Sequence, residues 1–279
     1  MIDSFVLLAP IYLLGVIALL GFVGCGFSIH GSPAGPVLRC TADDHTVELS
    51  WDAVTDANLY YVKRREEGGT YPEFGEPVLA STIYHDTDVT NGEVYYYVVL
   101  AIIANGSELA ESTSDSNEVK ALPLGSFVTS VTSGTPSLTG RSGLYGMAIR
   151  VGASDLTIHT LGRGYTLGLT GAHDIKIIDA ISKAEVANAL VNMNSEARGD
   201  FKYAKVVPSD PAITQLTLTA GRLYYVVSQE FADRFYEGDT TVLTKPDAAV
   251  ESAIKSDVPG SFIAVGGVGN TYGPVSFQY

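Results

Sequence analysis

Cysteine is almost missing from this chain: two in 279 residues, Cys25 and Cys40. Two thiols cannot build a disulfide framework or a four-cysteine zinc site. A bridge between them is permitted by their spacing and not required by it. Basic residues are also scarce, with Lys+Arg 17 against Asp+Glu 31 and a formal charge of −14. A chain this acidic does not read as a nucleic-acid binder, which needs Lys and Arg to meet phosphate. Histidine is rare too. None of His30, His45, His85, His159 and His173 sits at metal-ligand spacing, and no His-Glu-x-x-His occurs. There is no Gly-x-Ser-x-Gly elbow and no phosphate-cradling Walker loop. Gly266-Gly267-Val268-Gly269 has no helical sequence after it and reads as a turn. What is abundant is glycine (29) and tyrosine (16), with 46 % hydrophobic residues. That mixture points to β-structure with many turns.

One long apolar run stands at the start. Phe5 to Val23 carry no charge. As a helix at ~1.5 Å per residue they span about 28 Å, close to a hydrocarbon core of roughly 30 Å. The preceding Met1-Ile2-Asp3-Ser4 has no Lys or Arg and no Ala-x-Ala site follows, so residues 1–27 read as a retained anchor in membrane lipid. The competing reading is a lipoprotein signal, because Phe22-Val23-Gly24-Cys25 resembles a lipobox and would place a lipid on Cys25. Charge leaves the orientation open, since the first basic side chain after the run is Arg39. Residues 28–36 read as a Gly/Pro linker.

From 37 to 123 the chain alternates in short segments separated by turn signals. They include Thr46 to Trp51, Tyr60 to Arg65, and Val94 to Ala101, with a turn at Asn105-Gly106. Strands at this spacing predict a β-sandwich. Leu49-Ser50-Trp51, Tyr95-x-Tyr97-x-Val99-x-Ala101 and Ser116-Asn117-Glu118-Val119 resemble a fibronectin type III domain. The resemblance implies that Trp51 fills the core and that the Tyr95 hydroxyl bonds back to the backbone. Residues 1–123 hold 5 basic and 17 acidic residues, and residues 124–279 hold 12 and 14, so the acidity is concentrated in the first part. That acidity suits either solubility or a docking face for a basic partner.

Residues 126–279 again read as β-structure, with eight to ten strands in two packed sheets. Ile175-Lys176-Ile177 and Leu216-Thr217-Leu218 alternate strictly. Ala184 to Asn192 reads either as a short helix or as a strand with a following loop. Leu161-Gly162-Arg163, Ile175 to Asp179, and Leu223-Tyr224-Tyr225 through Ser228-Gln229-Glu230 resemble a jelly-roll-like β-module that recurs in secreted or surface bacterial proteins. The resemblance implies a non-catalytic, carbohydrate-binding-like role. Gly164 and Phe235 stand where that pattern often has an aromatic and a Trp, which trims stacking surface. The expected fold is all-β: an N-terminal transmembrane helix, a fibronectin type III-like sandwich and a larger jelly-roll-like sandwich.

No catalytic constellation emerges, so the chain reads as a non-enzyme without a cofactor. The expected function is a membrane-anchored scaffold in the periplasm or on the cell exterior, bracing other protein subunits of a membrane complex or filament. Gly15 and Gly21 would let its helix approach a neighbour closely. The alternative is a carbohydrate-binding or adhesion lipoprotein. It would grip glycan through Tyr225, Gln229, Phe235 and Tyr236, with Glu230 and Asp239 accepting hydroxyl hydrogen bonds. The same two carboxylates suit a structural Ca²⁺ or, as a second alternative, a glycosidase pair.

Overall fold

The computed structural model describes residues 35–73, 78–105, 108–133, 136–165, 169–193, 200–236, 238–273 and 275–279. Phe5, Val23 and Cys25, on which the anchor and lipidation readings rest, lie outside them. Among the described residues all regular structure is β, and no helix is long and apolar enough to cross a membrane.

The first sandwich contains β1 (Leu38–Asp43), β2 (Thr46–Trp51), β3 (Ala57–Glu66), β4 (Val78–Leu79), β5 (Ile83–Asp86), β6 (Tyr95–Asn105), β7 (Glu108–Asp115) and β8 (Val119–Ala121). One sheet runs β1-β2-β5; the other runs β4-β3-β6-β7, with β8 on β6. Alternation does the sorting. In β2, Val47, Leu49 and Trp51 are buried while Glu48 faces water. Tyr95, Tyr97, Val99 and Ala101 of β6 enter the same core. The Trp51 ring meets Tyr60 edge-on at 5.4 Å. Thr90 N–H donates to the Tyr95 hydroxyl at 2.9 Å, as the resemblance implied. Asp86 is buried and tied across the sheets by Arg64 (2.9 Å) and the Tyr97 hydroxyl (2.9 Å). Burial, with the Asp86 charge, pushes the Tyr97 phenol far above its ordinary pKa.

The second sandwich begins with β9 (Val128–Ser133), β10 (Pro136–Val151), β11 (Leu156–Ile158), β12 (Thr160–Gly164), β13 (Gly171–Asp179), β14 (Glu185–Met193), β15 (Phe201–Lys205) and β16 (Val207–Pro208). It continues with β17 (Leu216–Leu218), β18 (Leu223–Tyr236), β19 (Thr240–Thr244), β20 (Ala248–Val258), β21 (Ser261–Val265), β22 (Asn270–Thr271) and β23 (Val275–Gln278). A seven-stranded antiparallel sheet runs β16-β14-β13-β18-β10-β20-β21. Three short sheets, β15-β12-β23, β22-β19-β9 and β11-β17, make up the rest. The core gathers Met147 and Ile149 of β10, Ile175 and Ile177 of β13, Tyr224 and Val226 of β18, and Phe127, Leu161 and Phe277 from the short sheets and the chain beside them. Phe127 and Phe277 stack at 4.6 Å. The sequence predicts two packed sheets in a jelly roll. One large sheet and several small ones are found, because β10 (16 residues) and β18 (14 residues) are long while the remaining layer is cut into strands of two to six.

Ala184 to Asn192 is no helix. Glu185–Met193 is β14, paired with β13 and alternating Ala187, Ala189, Val191 and Met193 into the core. Cross-strand pairing overrides the helical preference of its alanines. At Gly146, in the middle of the large sheet, a side chain would collide with the Val226 carbonyl oxygen.

The two sandwiches meet around Gly125. Lys245 Nζ donates to Asp44 Oδ1 at 2.6 Å, and Asn91 Nδ2 donates to the same oxygen at 2.7 Å. Burial opposes the Asp44 charge, but these two donors win and hold its pKa below the usual value. Gly92 N–H donates to the Pro123 carbonyl (2.9 Å), and Gly125 and Tyr279 exchange both backbone hydrogen bonds at 3.0 and 3.2 Å.

Candidate functional site

The large sheet carries an apolar cluster on each face. One face enters the core. The other carries a second cluster, Ala148, Ile178, Tyr225, Val227 and Ile254, with Phe262 of β21 folded against it. Beside that cluster an open groove of about 440 Å³ is lined by Leu144, Lys176, Ile178, Lys183, Glu185, Gln229, Ser256, Asp257 and Phe262, among others.

Each lining group is positioned by local chemistry. Lys176 lies between Glu185 (2.6 Å) and Asp174 (3.1 Å). Burial works against its charge, but both hydrogen bonds outweigh it and hold the ammonium above its ordinary pKa. Gln229 Nε2 donates to the Gly143 carbonyl at 3.2 Å. Asp257 accepts from the Tyr145 hydroxyl. Lys183 belongs to the turn between β13 and β14. Asp179 builds that turn by accepting from Ile181 N–H (3.0 Å), Ser182 N–H (2.8 Å) and the Ser182 hydroxyl (3.0 Å). The Ser182 backbone bond is the largest cause of a lowered Asp179 pKa; burial opposes it, and Arg222 nearby adds to it. Lys183 itself has φ of 61°, in the left-handed region. Its Nζ donates to the Ala180 carbonyl (2.6 Å) and the Tyr225 hydroxyl (3.0 Å). It stands 4.6 Å from the Tyr225 ring centre and 5.8 Å from that of Phe262. The two rings are 4.8 Å apart.

Among the described residues, those nominated from sequence do not all converge. Tyr225 and Gln229 belong to the outer face and meet the groove or its neighbouring cluster. Glu230 does not. Its carboxylate is fully buried on the core side and accepts from Arg163 Nε at 3.2 Å, with His173 Nδ1 at 3.5 Å. Arg163 is fully buried as well and donates to the Gly164 carbonyl at 3.0 Å. The expectation that Glu230 meets sugar hydroxyls, Ca²⁺ or a scissile bond is therefore corrected: strand alternation turns it inward, and an ion pair occupies it. Asp239 is an exposed turn residue outside the groove lining. Phe235 and Tyr236 lie in β18, and their side chains fall outside the described residues. Among the described residues no group of three or more His, Cys, Asp or Glu is arranged to hold a metal ion. Sequence reasoning missed Lys176, Lys183, Leu144 and Phe262, which come from separate strands and turns.

A second cleft, of about 520 Å³, lies in the first sandwich beside Arg64, Asp86, Asp88 and Tyr97. Arg64 and Asp86 are committed to the cross-sheet tie described above.

No family model matches the chain. The amylopullulanase of Thermoanaerobacter thermohydrosulfuricus is 39 % identical over 87 residues, which is 31 % of this chain and 6 % of that protein. The amylopullulanase of Thermoanaerobacterium saccharolyticum is 35 % identical over 88 residues, 30 % of this chain and 7 % of that one. The chain thus spans well under a tenth of the length of these relatives. Among solved structures, an Fn3-like protein from Clostridium thermocellum is 38 % identical, covering 33 % of this chain and 95 % of that one, with a TM-score of 0.29. The first sandwich is a fibronectin type III-like module. Its three-stranded β1-β2-β5 sheet against β4-β3-β6-β7, its core Trp51 and its Tyr95 corner are the parts of that fold. A two-domain fibronectin type III segment of chicken tenascin is 12 % identical over 82 % of this chain, with a TM-score of 0.27.

Proposed function

We propose that the protein is a non-catalytic, extracytoplasmic accessory protein that binds saccharide through the outer-face groove of its second sandwich. The observation that carries this reading is the groove itself. It is open, it sets the Phe262 ring beside an amide and several charged side chains, and it is large enough for a few sugar rings. The fibronectin type III-like module acts as a companion, and its kinship with part of the amylopullulanases, carbohydrate enzymes by name, supports a carbohydrate setting. The buried state of Glu230 supports a binding role over hydrolysis. A membrane tether through residues 5–23, or a lipid on Cys25, belongs to the same proposal and keeps the module at a cell surface.

The test is affinity electrophoresis of the full chain through gels containing soluble polysaccharides, followed by calorimetry with the oligosaccharides that retard it. Retardation, with Phe262→Ala weakening it about tenfold, is the expected result. Unretarded migration in every gel would refute the reading.

A second reading keeps the bracing role. Leu190 and Phe231 are 59 % and 64 % exposed and share the groove's face by strand alternation, Phe231 lying opposite the groove residue Ser142. Exposed apolar side chains beside a groove suit a protein partner. Stoichiometric membrane subunits co-purifying with the full chain in mild detergent would establish it, and their loss in a Leu190→Ser/Phe231→Ser variant would map it.

A further inference from the structure

We propose that Lys183 forms an anion-accepting subsite, so that the saccharide taken by the groove is an acidic one whose carboxylate, as in a uronic acid, seats on the Lys183 ammonium. This rests on the saccharide reading above and names the class of ligand. Four observations converge on it.

The first is charge. Lys176, the other groove lysine, is neutralised by Glu185 and Asp174. Asp257 is bound by the Tyr145 hydroxyl and lies 3.7 Å from Lys255. Among the described residues no carboxylate pairs with Lys183; the described groups around its Nζ are the Ala180 carbonyl, the Tyr225 hydroxyl and two aromatic rings. An ammonium has three donors. Two are used on neutral oxygens, and the residue is exposed, so the third can reach a ligand.

The second is backbone strain. The left-handed φ of Lys183 favours Gly or Asn, and a lysine there costs stability. A residue chosen only to make the turn would be glycine. The third is position. The turn hung on Asp179 sets Lys183 beside Phe262, so an anionic group on Lys183 would bring its own ring alongside the Phe262 ring. The fourth is the setting. The chain is acidic as a whole, yet residues 124–279 are close to neutral, with 12 basic and 14 acidic residues, so the net charge of this segment opposes an anionic polymer far less than that of residues 1–123.

The experiment is titration calorimetry of the full chain with tetrasaccharides of galacturonate, glucuronate, mannuronate and guluronate. Each is paired with its carboxyl-reduced neutral counterpart. Wild type, Lys183→Gly, Lys183→Gln and Phe262→Ala are compared, and melting temperature is recorded for all. The expected result is at least one acidic probe bound about tenfold or more tighter than its reduced partner. That preference disappears in both Lys183 variants, while Lys183→Gly melts within about 2 °C of wild type. Equal binding of acidic and neutral probes, sensitive to Phe262→Ala but not to Lys183, would overturn the anion subsite and leave the saccharide groove standing. Absence of binding by every probe would overturn both. A fall of about 5 °C or more in Lys183→Gly without loss of acidic preference would show that Lys183 only staples the turn, which also overturns the proposal.

Discussion

Glu230→Gln is the substitution that most sharply tests the reading of the second sandwich. The wild-type carboxylate and the Arg163 guanidinium are both inaccessible to water, 3.2 Å apart. The substitution keeps the side-chain volume and removes the negative charge. Arg163 then loses the carboxylate charge that its Nε faces at 3.2 Å. Breaking a buried pair in this way costs about 3–5 kcal/mol. A fold of this size loses roughly 2–4 °C of melting temperature per kcal/mol, so the expected fall is roughly 6–20 °C. Differential scanning calorimetry of the full chain reads it as a downward shift of the second sandwich's transition. The fibronectin type III-like module, with a core of its own, keeps its transition in place. The control is Arg163→Met/Glu230→Leu, which removes both charges and fills similar volume. It is expected to recover most of the loss, because desolvating two ions nearly cancels their attraction. A fall of less than about 2 °C in Glu230→Gln would refute the assignment of Glu230 to a buried structural pair. It would return that carboxylate to the pool of functional candidates.

Three further outcomes follow from the same geometry. Tyr95→Phe removes the acceptor of Thr90 N–H and is expected to destabilise the fibronectin type III-like module by about 1–3 kcal/mol, measured by urea unfolding with Trp51 fluorescence. Gly146→Ala places a methyl group against the Val226 carbonyl in the centre of the large sheet; the second sandwich is expected to lose its cooperative transition in calorimetry. Asp179 has a lowered folded-state pKa, so its contribution is present above the ordinary value of about 3.9 and fades as the pH falls through the folded one. Wild type should therefore lose stability on acidification below the ordinary carboxylate range, and Asp179→Asn should be less stable at pH 7 with a flatter acid limb.

How much of this was legible beforehand depends on where each signal resides. Val47, Leu49 and Trp51, and the Tyr95 to Ala101 alternation, announce strands because a half-buried strand writes its pleat directly into neighbouring residues. Ala248–Val258 went unrecognised as a strand. Its sequence, AAVESAIKSDV, is alanine- and charge-rich, and it is held as a strand by its neighbours β10 and β21. The same effect decides Ala184 to Asn192, which the sequence leaves open between helix and strand, in favour of the strand. Glu230 parts from Tyr225 for a reason that is readable in the sequence. Tyr225 and Glu230 are five positions apart, and an odd spacing in one unbroken strand puts side chains on opposite faces. Tyr225 and Gln229, four apart, do share a face. The groove itself was not readable. Lys183, Gln229 and Phe262 come from a turn and two strands, and only the order β13-β18-β10-β20-β21 brings them to one face.

The pairing of Gly125 with Tyr279 has a mechanical consequence. Tension between the fibronectin type III-like module and residue 279 enters and leaves the second sandwich at adjacent backbones. The load path runs through that pair and the Lys245–Asp44 tie, and it bypasses the seven-stranded sheet. Pulled in this direction the module peels at its seam, one hydrogen bond after another, while the groove face stays unloaded until the seam has opened.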